Sequence, residues 1–272
     1  MHELQSLFHE QLEEVGASKG KVLVLTGAGV SKASGMPTYR GEGGMWIKGS
    51  RFYRNPSRAT KKYFMQNPEE AWQYSLHRLF LYQFLEPNPA HLAIKDFLHR
   101  PTHHAHLITQ NVDRLHWKSG VSLDQTFEIH GNLSEIRCSV NCTDEVYPLP
   151  RDILRERDPE EPLSASEWTR LRCPRCGAIT RPHVLWFDES YNELHFRYES
   201  ALQLAEEASL LVILGTTIAT NLPKQIVKKA RKKEIPIWIV NFDETSFTRE
   251  AEKWPNSQVL YGKAEELLPD LL

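Results

Sequence analysis

The sequence has no long apolar run, almost no imbalance of charge and few cysteines. No stretch approaches the ~20 apolar residues that a membrane-spanning helix needs. The opening Met1-His2-Glu3-Leu4 lacks the basic and apolar regions of a signal peptide. We therefore expect a cytoplasmic protein that has no membrane partner.

The charges nearly cancel, with 33 Lys and Arg residues against 35 Asp and Glu residues. Such a balance gives no overall attraction to nucleic acid. The two basic runs, at 61–62 and 228–233, are expected to be solvated helix faces rather than binding patches. We therefore expect no nucleic-acid partner.

The four cysteines form two close pairs, Cys138-x3-Cys142 and Cys173-x2-Cys176. They could make two disulfides, but a chain without an export signal meets reducing conditions, which favours metal ligation. Two such pairs can supply four thiolates to one tetrahedral zinc ion, as in zinc ribbons. We predict one structural Zn²⁺ per chain, with no open position for a catalytic water. The charged, proline-rich insert at 143–172 is expected to be a surface excursion.

A glycine loop follows the first predicted strand. Four consecutive apolar residues, at 22–25, predict a strand buried on both faces, and Thr26-Gly27-Ala28-Gly29 ends it. Because Gly27 and Gly29 have no Cβ, backbone N–H groups can approach an anion closely there. The dinucleotide fingerprint wants a third glycine where this chain has Lys32. A glycine turn that binds no ligand is the alternative.

Four later strands, predicted at 105–109, 126–129, 210–214 and 235–240, also end in polar or small residues. The segments that follow them are Gln110-Asn111-Val112-Asp113, His130-Gly131, Gly215-Thr216-Thr217 and Asn241-Phe242-Asp243. Helices are predicted from Leu4, at Asn67-Pro68, at Asn88-Pro89 and over 192–208, and an extended segment over 181–187. This alternation predicts an α/β fold with a doubly wound parallel Rossmann-like sheet and ligands at the carboxyl ends of its strands.

Taken together, the ordered motifs resemble those of the sirtuins, the family of NAD-dependent protein deacylases. The resemblance runs from about Lys21 to the end of the chain. It rests on Thr26 to Ser31, Gly35 to Arg40, Pro87 to His91, Thr109 to His116, Ile129-His130-Gly131, the two cysteine pairs, Arg181-Pro182, Phe187-Asp188-Glu189, Leu214 to Thr217 and Val240-Asn241.

The resemblance implies a large domain and a smaller inserted one. The Rossmann-like NAD-binding domain would comprise residues 1–49, 86–134 and 181–272. The small domain would comprise a helical part at 50–85 and the zinc module at 135–180. An acylated lysine of a protein substrate would enter the cleft between them.

The resemblance also implies roles for individual residues. His130 would be the general base and Asn111 a second catalytic residue. A neutral imidazole, with a pKa near ~6.5, can take a proton from the ribose hydroxyl that attacks the acyl carbon. The residues expected to contact NAD are Gly27, Ala28, Gly29, Ser31, Tyr39, Arg40, Trp46, Gln110, Asp113, Gly215, Thr216, Thr217, Asn241, Asp243, Gly262 and Ala264. Those expected to contact the substrate are Val184, Trp186, Phe187, Asp188, Glu189 and Arg78.

The chain departs from the family pattern at several of these positions. Tyr39 stands where the family has Phe, and Pro223 comes one residue late in its loop. Asp188 replaces a glycine in a strand expected to pair with the substrate peptide, and it fits poorly if that glycine has a positive φ. Where members that remove acidic acyl groups carry Tyr and Arg, this chain has Ser75 and Arg78. We therefore expect ordinary acyl groups as the main substrates. Acidic acyl groups stay an alternative, because Arg78 can pair with a carboxylate and Tyr74 lies on the same helix face.

We predict an NAD-dependent protein lysine deacylase, which transfers the acyl group to ADP-ribose and releases nicotinamide. Two alternatives stay open. Asp188 and Tyr39 motivate mono-ADP-ribosyl transfer or NAD hydrolysis at the same site. A non-catalytic adaptor built on the zinc module is the alternative from another class.

Overall fold

The computed structural model describes residues 2–37, 56–101 and 104–272. Within these residues, the strands in chain order are β1 Lys21–Thr26, β2 Ala105–Thr109, β3 Thr126–Glu128, β4 Gly131–Cys138, β5 Val146–Pro148, β6 Thr180–Val184, β7 Ala208–Leu214, β8 Ile237–Asn241 and β9 Ser257–Tyr261.

The α-helices of the same residues are α1 His2–Ala17, α2 Lys61–Gln66, α3 Pro68–Tyr82, α4 Pro89–Leu98, α5 Leu115–Lys118, α6 Ala165–Arg170, α7 Glu193–Phe196, α8 Tyr198–Glu207, α9 Asn221–Lys232, α10 Ser246–Ala251 and α11 Ala264–Leu271. Short 3₁₀ helices cover Ala28–Ser34, Pro56–Arg58, Leu123–Gln125 and Arg151–Ile153. None of the described helices combines the length and apolar character needed to cross a membrane.

A parallel sheet with the strand order β3-β2-β1-β7-β8-β9 is the main element of the described structure. Alternate residues of β1 enter opposite cores. Val22 and Val24 pack in the core that also holds residues of α1, α4 and α11. Leu23 and Leu25 pack in the core that holds residues of α8, α9 and α10. The sheet is therefore covered on both faces, and the predicted doubly wound α/β fold is confirmed.

The order of strands places a topological switch point between β1 and β7. The chain adds β2 and β3 on one side of β1, and β8 and β9 on the far side of β7. The loop after β1 packs Val30 into one core and the loop after β7 packs Ile218 into the other. The two loops therefore turn to opposite faces, as they do at the ligand-binding edge of open α/β sheets. The predicted site residues that follow β1, β2, β7 and β8 therefore share one edge.

A smaller antiparallel sheet, in the order β5-β4-β6, carries a third core. This core joins the sheet to α2 and α3 through residues such as Phe64, Trp72 and Ile136. The indole N–H of Trp72, which is buried, donates to the backbone oxygen of Thr180 at 2.8 Å. The helical segment and the zinc-module segment thus pack as one unit.

The sequence suggested that the insert between the cysteine pairs is a surface excursion, but part of the insert is buried. Its apolar residues Leu149, Ile153, Leu163 and Leu171 are buried in the third core. They are separated by many charged residues, which hid the pattern in the composition of the segment. The insert therefore supplies one wall of the third core.

One further expectation needs adjustment. The helix predicted over 192–208 is broken into α7 and α8 at Arg197, whose φ of 50° is left-handed. The division into domains stays a prediction, and its boundaries at 134/135 and 180/181 fall inside β4 and β6. These two strands are paired with each other, so the chain crosses between the parts along them.

Candidate active site

The loops that follow β1 and β7 touch backbone to backbone. The N–H of Gly29 donates to the oxygen of Gly215 at 2.9 Å, and that of Gly27 to the oxygen of Leu214 at 3.0 Å. A Cβ on Gly29 would lie 2.8 Å from the Cα of Gly215. Gly215 itself has a φ of +59°, and its Cβ would lie 2.6 Å from the nitrogen of Val30. Only glycine allows so close a contact.

The N–H groups of the glycines in the first loop have a different role from the one expected. Their N–H groups were expected to approach an anion, but one donates to the last residue of β7 and the other to the loop that follows it. Their lack of a Cβ instead lets the two loops meet. Contact of Gly27 and Gly29 with a cofactor stays a prediction.

Gln110 ties the end of β2 to the same two loops. Its Nε2 donates to Thr216 Oγ1 at 2.9 Å and lies 3.3 Å from the oxygen of Thr26. Its Oε1 accepts from Thr220 Oγ1 at 3.2 Å. Thr216 Oγ1 also accepts from the N–H of Ile218 at 3.2 Å. The predicted residues Gln110, Thr216 and Gly215 are thus brought together, whereas Thr217 is exposed beside them.

Asn111 and Ser31 form a second buried connection. Asn111 Nδ2 donates to the oxygen of Gly27 and to Ser31 Oγ, both at 3.1 Å. Ser31 Oγ lies 3.3 Å from Nε2 of His91, whose Nδ1 accepts from the N–H of Asn88 at 3.3 Å. Nδ1 is therefore unprotonated, and His91 is the neutral Nε2–H tautomer. Burial lowers the pKa of His91 to about 4, which agrees with that state.

Asp113 lies next to this connection. Its Oδ1 accepts from the N–H of Leu115 at 2.9 Å. Burial raises the pKa of the Asp113 carboxyl, against the hydrogen bonds from Leu115 and Ser31 that favour its ionised form. The predicted residues Ser31, Asn111 and Asp113 are therefore neighbours.

His130 is held at both ring nitrogens. Nδ1 lies 3.0 Å from the backbone oxygen of Gln110, and Nε2 lies 2.9 Å from the hydroxyl of Tyr191. Burial lowers the pKa of His130 to about 4, against the Gln110 hydrogen bond that raises it. The ring is therefore neutral at physiological pH and can accept a proton.

The predicted residues of the β8 and β9 ends form a third group. Asn241 Nδ2 donates to the oxygen of Asp243 at 3.2 Å, and the N–H of Gly262 donates to the oxygen of Asn241 at 3.0 Å. Ala264 is buried at the start of α11. Ala28 is half-buried in the first loop. The predicted residues Tyr39, Arg40 and Trp46 lie outside the described residues.

The segment predicted to pair with a substrate peptide is a strand from Thr180 to Val184, and a turn begins at Phe187. The N–H of Leu185 donates to the oxygen of His130 at 2.9 Å, and that of Phe187 to the oxygen of Ala59 at 3.1 Å. The N–H of Glu189 donates to the oxygen of Trp186 at 3.0 Å, which closes a turn. These N–H groups are already engaged within the chain.

Carboxylates hold that turn in place. Asp188 accepts from the N–H groups of Lys61 and Lys62, at 2.6 and 3.0 Å, at the start of α2. It is not among the described residues with a positive φ, so the replacement of glycine causes no backbone strain. Glu189 accepts from Arg181 and Arg137, and Arg181 is fully buried.

Arg78 is engaged on its own helix. Its Nε donates to the hydroxyl of Tyr82 at 2.7 Å, and its guanidinium carbon lies 4.8 Å from the centre of that ring. Ser75 Oγ donates to the oxygen of Ala71 at 2.7 Å. Tyr74 is buried. Contact of Arg78 with a substrate stays a prediction.

The four cysteines meet as predicted. Their Sγ atoms all lie within 4.8 Å of one another, with Cys138 and Cys173 buried and Cys142 and Cys176 exposed. Gly177, with a φ of +73°, lets the second pair turn back, and its N–H donates to the oxygen of Cys173 at 2.8 Å. Four thiol groups at this separation can hold one structural zinc ion.

Sequence reasoning missed Tyr191 and Thr220, which both belong to the network around His130 and Gln110. Tyr191 lies one residue before the helix predicted over 192–208, and Thr220 lies in a loop that was identified only by its late proline. Neither residue belongs to a motif with a known spacing. No signal in the single sequence identifies them.

The comparisons with known proteins agree with this geometry. The Sir2 family model matches residues 27–221. An NAD-dependent protein deacetylase 1 of Pyrobaculum aerophilum is 34% identical over 266 residues, which cover 97% of this chain and 94% of that protein. An NAD-dependent protein deacylase of Pyrococcus furiosus is 32% identical over 263 residues, 96% of each chain.

Solved structures give the same result. A mutant Sir2 homologue in complex with ADP-ribose is 27% identical and superposes with a TM-score of 0.76, covering 96% of this chain and 94% of that one. The chain therefore belongs to the Sir2 family, and its predicted resemblance to the sirtuins is confirmed.

The zinc site gives a direct test. We expect the purified protein to contain one zinc ion per chain, and Cys176→Ser to lower both the zinc content and the melting temperature, because the metal closes the fold of its module. Elemental analysis and thermal denaturation measure these quantities. Ser166→Ala, at an exposed position of the insert, is the control. A protein that keeps its melting temperature after the metal is chelated would contradict a structural role.

Proposed function

We propose that this protein is an NAD-dependent protein lysine deacylase, which transfers an acyl group from a protein lysine to ADP-ribose and releases nicotinamide. The observation that carries the proposal is the neutral His130 at the carboxyl end of β3, bonded to the backbone oxygen of Gln110, whose side chain bonds to Thr216 in the loop after β7. Membership of the Sir2 family and relatives named as deacylases support it.

The residues at the switch point fit a nucleotide. Amide and hydroxyl groups of Gln110, Asn111 and Thr216 stand at the carboxyl ends of parallel strands, where open α/β sheets bind such ligands. When bound, NAD supplies a sugar carbon that accepts the acyl oxygen as nicotinamide leaves, and a hydroxyl that then takes the acyl group. We assign its contacts to the residues predicted above, with Asn241, Gly262 and Ala264 on the adenosine side.

His130 would accept the proton of the sugar hydroxyl. Its Nδ1–H donates to the backbone oxygen of Gln110, so Nε2, which carries the lone pair, is the basic atom. Asn111, anchored on Gly27 and Ser31, would orient the sugar or the nicotinamide amide. Such positioning is expected to contribute more to the rate than acid–base chemistry. Nicotinamide departs as a neutral molecule, so its departure needs no proton from the protein.

The substrate would be an acylated lysine of a protein. We propose that it enters between the parallel sheet and the third core, with the turn at 184–189 beside it. The division into a Rossmann-like domain and an inserted small domain is part of this proposal. We also propose a cytoplasmic location, which is supported by four cysteines arranged as metal ligands, since free thiols persist in reducing compartments.

ADP-ribosyl transfer is the second candidate, and the closed turn favours it. Because the N–H groups of Leu185 and Phe187 are already bonded within the chain, an incoming peptide finds fewer backbone donors for strand pairing. Incubation of acyl-lysine peptides with NAD, followed by mass spectrometry, separates the two reactions. We expect deacylated peptide and nicotinamide in equal amounts. A product that gains ADP-ribose and keeps its acyl group would overturn the proposal.

Loss of the base has a predictable effect. We expect His130→Ala to lower kcat for deacylation about 100-fold or more, the usual contribution of a positioned general base. Steady-state kinetics on one acyl peptide measures it. His99→Ala, which changes an exposed histidine, should keep the parent rate. Equal rates for His130→Ala and the parent would exclude His130 as the base.

The pKa of His130 also predicts the pH profile. The base works when deprotonated, and burial lowers its pKa to about 4. As the pH falls, kcat/KM should therefore stay level to about pH 5 and decline only below it, since this ratio reports the free enzyme. Tryptophan fluorescence at each pH would show the range in which the protein stays folded. An acid limb centred near ~6.5, the ordinary histidine value, would show instead that the ring is solvated.

A further inference from the structure

The hydrogen bonds of His130 fix where its proton lies. A backbone carbonyl can only accept, so Nδ1, at 3.0 Å from the oxygen of Gln110, carries the proton. Because the ring is neutral, Nε2 then has a lone pair and no hydrogen. The hydroxyl of Tyr191, at 2.9 Å, must be the donor to that lone pair.

The basic nitrogen is therefore covered in this structure. An sp² nitrogen has one lone pair, which accepts one well-aligned hydrogen bond. A sugar hydroxyl can reach Nε2 of His130 in two ways only. It displaces the Tyr191 hydroxyl, or it acts through it.

Tyr191 is fixed at its ring. The ring stacks on that of Tyr198, with centres 5.9 Å apart and planes at 21°, and it packs against the core beneath α8 and α9. Tyr198 is itself anchored, since its hydroxyl donates to Oε1 of Gln225 on α9 at 3.2 Å. Displacement of Tyr191 would disturb this packing.

Tyr191 is also held at its hydroxyl. Hydrogen bonding from the side chain of Thr220 and the N–H of Leu222, in the first turn of α9, lowers the pKa of Tyr191 against the larger effect of burial. Thr220 Oγ1 donates to the side-chain oxygen of Gln110, and the backbone oxygen of Gln110 holds His130. The base, Tyr191, Gln110 and Thr220 are therefore neighbours.

We propose that Tyr191 is a further catalytic residue, which relays the proton of the sugar hydroxyl to His130. This inference rests on the proposed deacylase function and deepens it. The O–H bond of the sugar breaks and its proton binds to the oxygen of Tyr191, while the proton of Tyr191 moves to Nε2 of His130. The sugar oxygen keeps the electron pair and attacks the acyl carbon, and His130 becomes imidazolium.

The two proton movements must be coupled. Burial raises the pKa of Tyr191 to about 12, so the phenol is protonated at neutral pH and no phenolate accumulates. Tyr191 can therefore accept the proton of the sugar hydroxyl only at the moment when it transfers its own proton to His130. Hydrogen bonding from the N–H of Leu222 lowers the pKa of Tyr191, and so it favours negative charge that develops on the phenol oxygen.

Tyr191→Phe tests the relay, with Tyr198→Phe as the matched control because it removes a neighbouring hydroxyl that is not bonded to His130. We expect Tyr191→Phe to lower product formation about 100-fold. Exchange of labelled nicotinamide into NAD precedes the proton transfer, so it should change only a few-fold. Tyr198→Phe should keep both rates close to those of the parent.

A second readout does not depend on activity. In the free protein, ¹⁵N NMR should show His130 as the Nδ1–H tautomer, and Tyr191→Phe should shift its Nε2 resonance because the donated hydrogen bond is lost. Tyr198→Phe should leave that resonance in place. An unchanged Nε2 resonance in Tyr191→Phe would overturn the inference.

The kinetic outcomes separate this inference from the function on which it rests. A parent protein that does not deacylate peptides would refute the function. An active parent with an equally active Tyr191→Phe would refute only the relay. A faster Tyr191→Phe would also refute it, because the hydroxyl would then block the base and have to be displaced.

Discussion

The backbone contact between the loops after β1 and β7 is the constraint on which the rest of the site depends. Both loops leave the switch point of the sheet, and glycines at 27, 29 and 215 let them meet at 2.9 to 3.0 Å. Gln110 and Asn111 then bond to these loops rather than to each other. His130 follows, since its ring is oriented by the backbone of Gln110. The site is therefore built outward from a contact between two backbones.

Neutral histidines complete this edge of the sheet. Burial lowers the pKa of His91 and of His130 to about 4, and that of His116 well below its ordinary value. The rings of His91 and His116 lie 4.9 Å apart, where two positive charges would repel each other. His91 and His116 hold Ser31 and Thr26 by their Nε2 atoms. His130 differs from these two in that its Nε2 is bonded to the hydroxyl of a tyrosine, which suits it for proton transfer.

The sequence predicted the parts that depend on local pattern. Buried parallel strands are continuous apolar runs, so β1 and β7 were evident, and the zinc site followed from cysteine spacing. The edge strand β9, Ser257–Tyr261, was missed because it is mixed in polarity. The insert was misjudged because its buried leucines are dispersed among charges. The turn at 184–189 depends on Asp188 reaching α2, more than 120 residues away, and Tyr191 matters only through a partner 61 residues distant. Such tertiary contacts leave no local pattern.

The most direct test of the loop contact is the affinity for NAD of Gly215→Ala, measured by calorimetry. Gly177→Ala is the control, because both glycines have a positive φ but only Gly215 has backbone against its missing Cβ. We expect Gly215→Ala to weaken NAD binding by about tenfold or more, which is 1.4 kcal/mol, and Gly177→Ala to leave it unchanged. Parent-like affinity in a folded Gly215→Ala protein would contradict the view that this contact shapes the site.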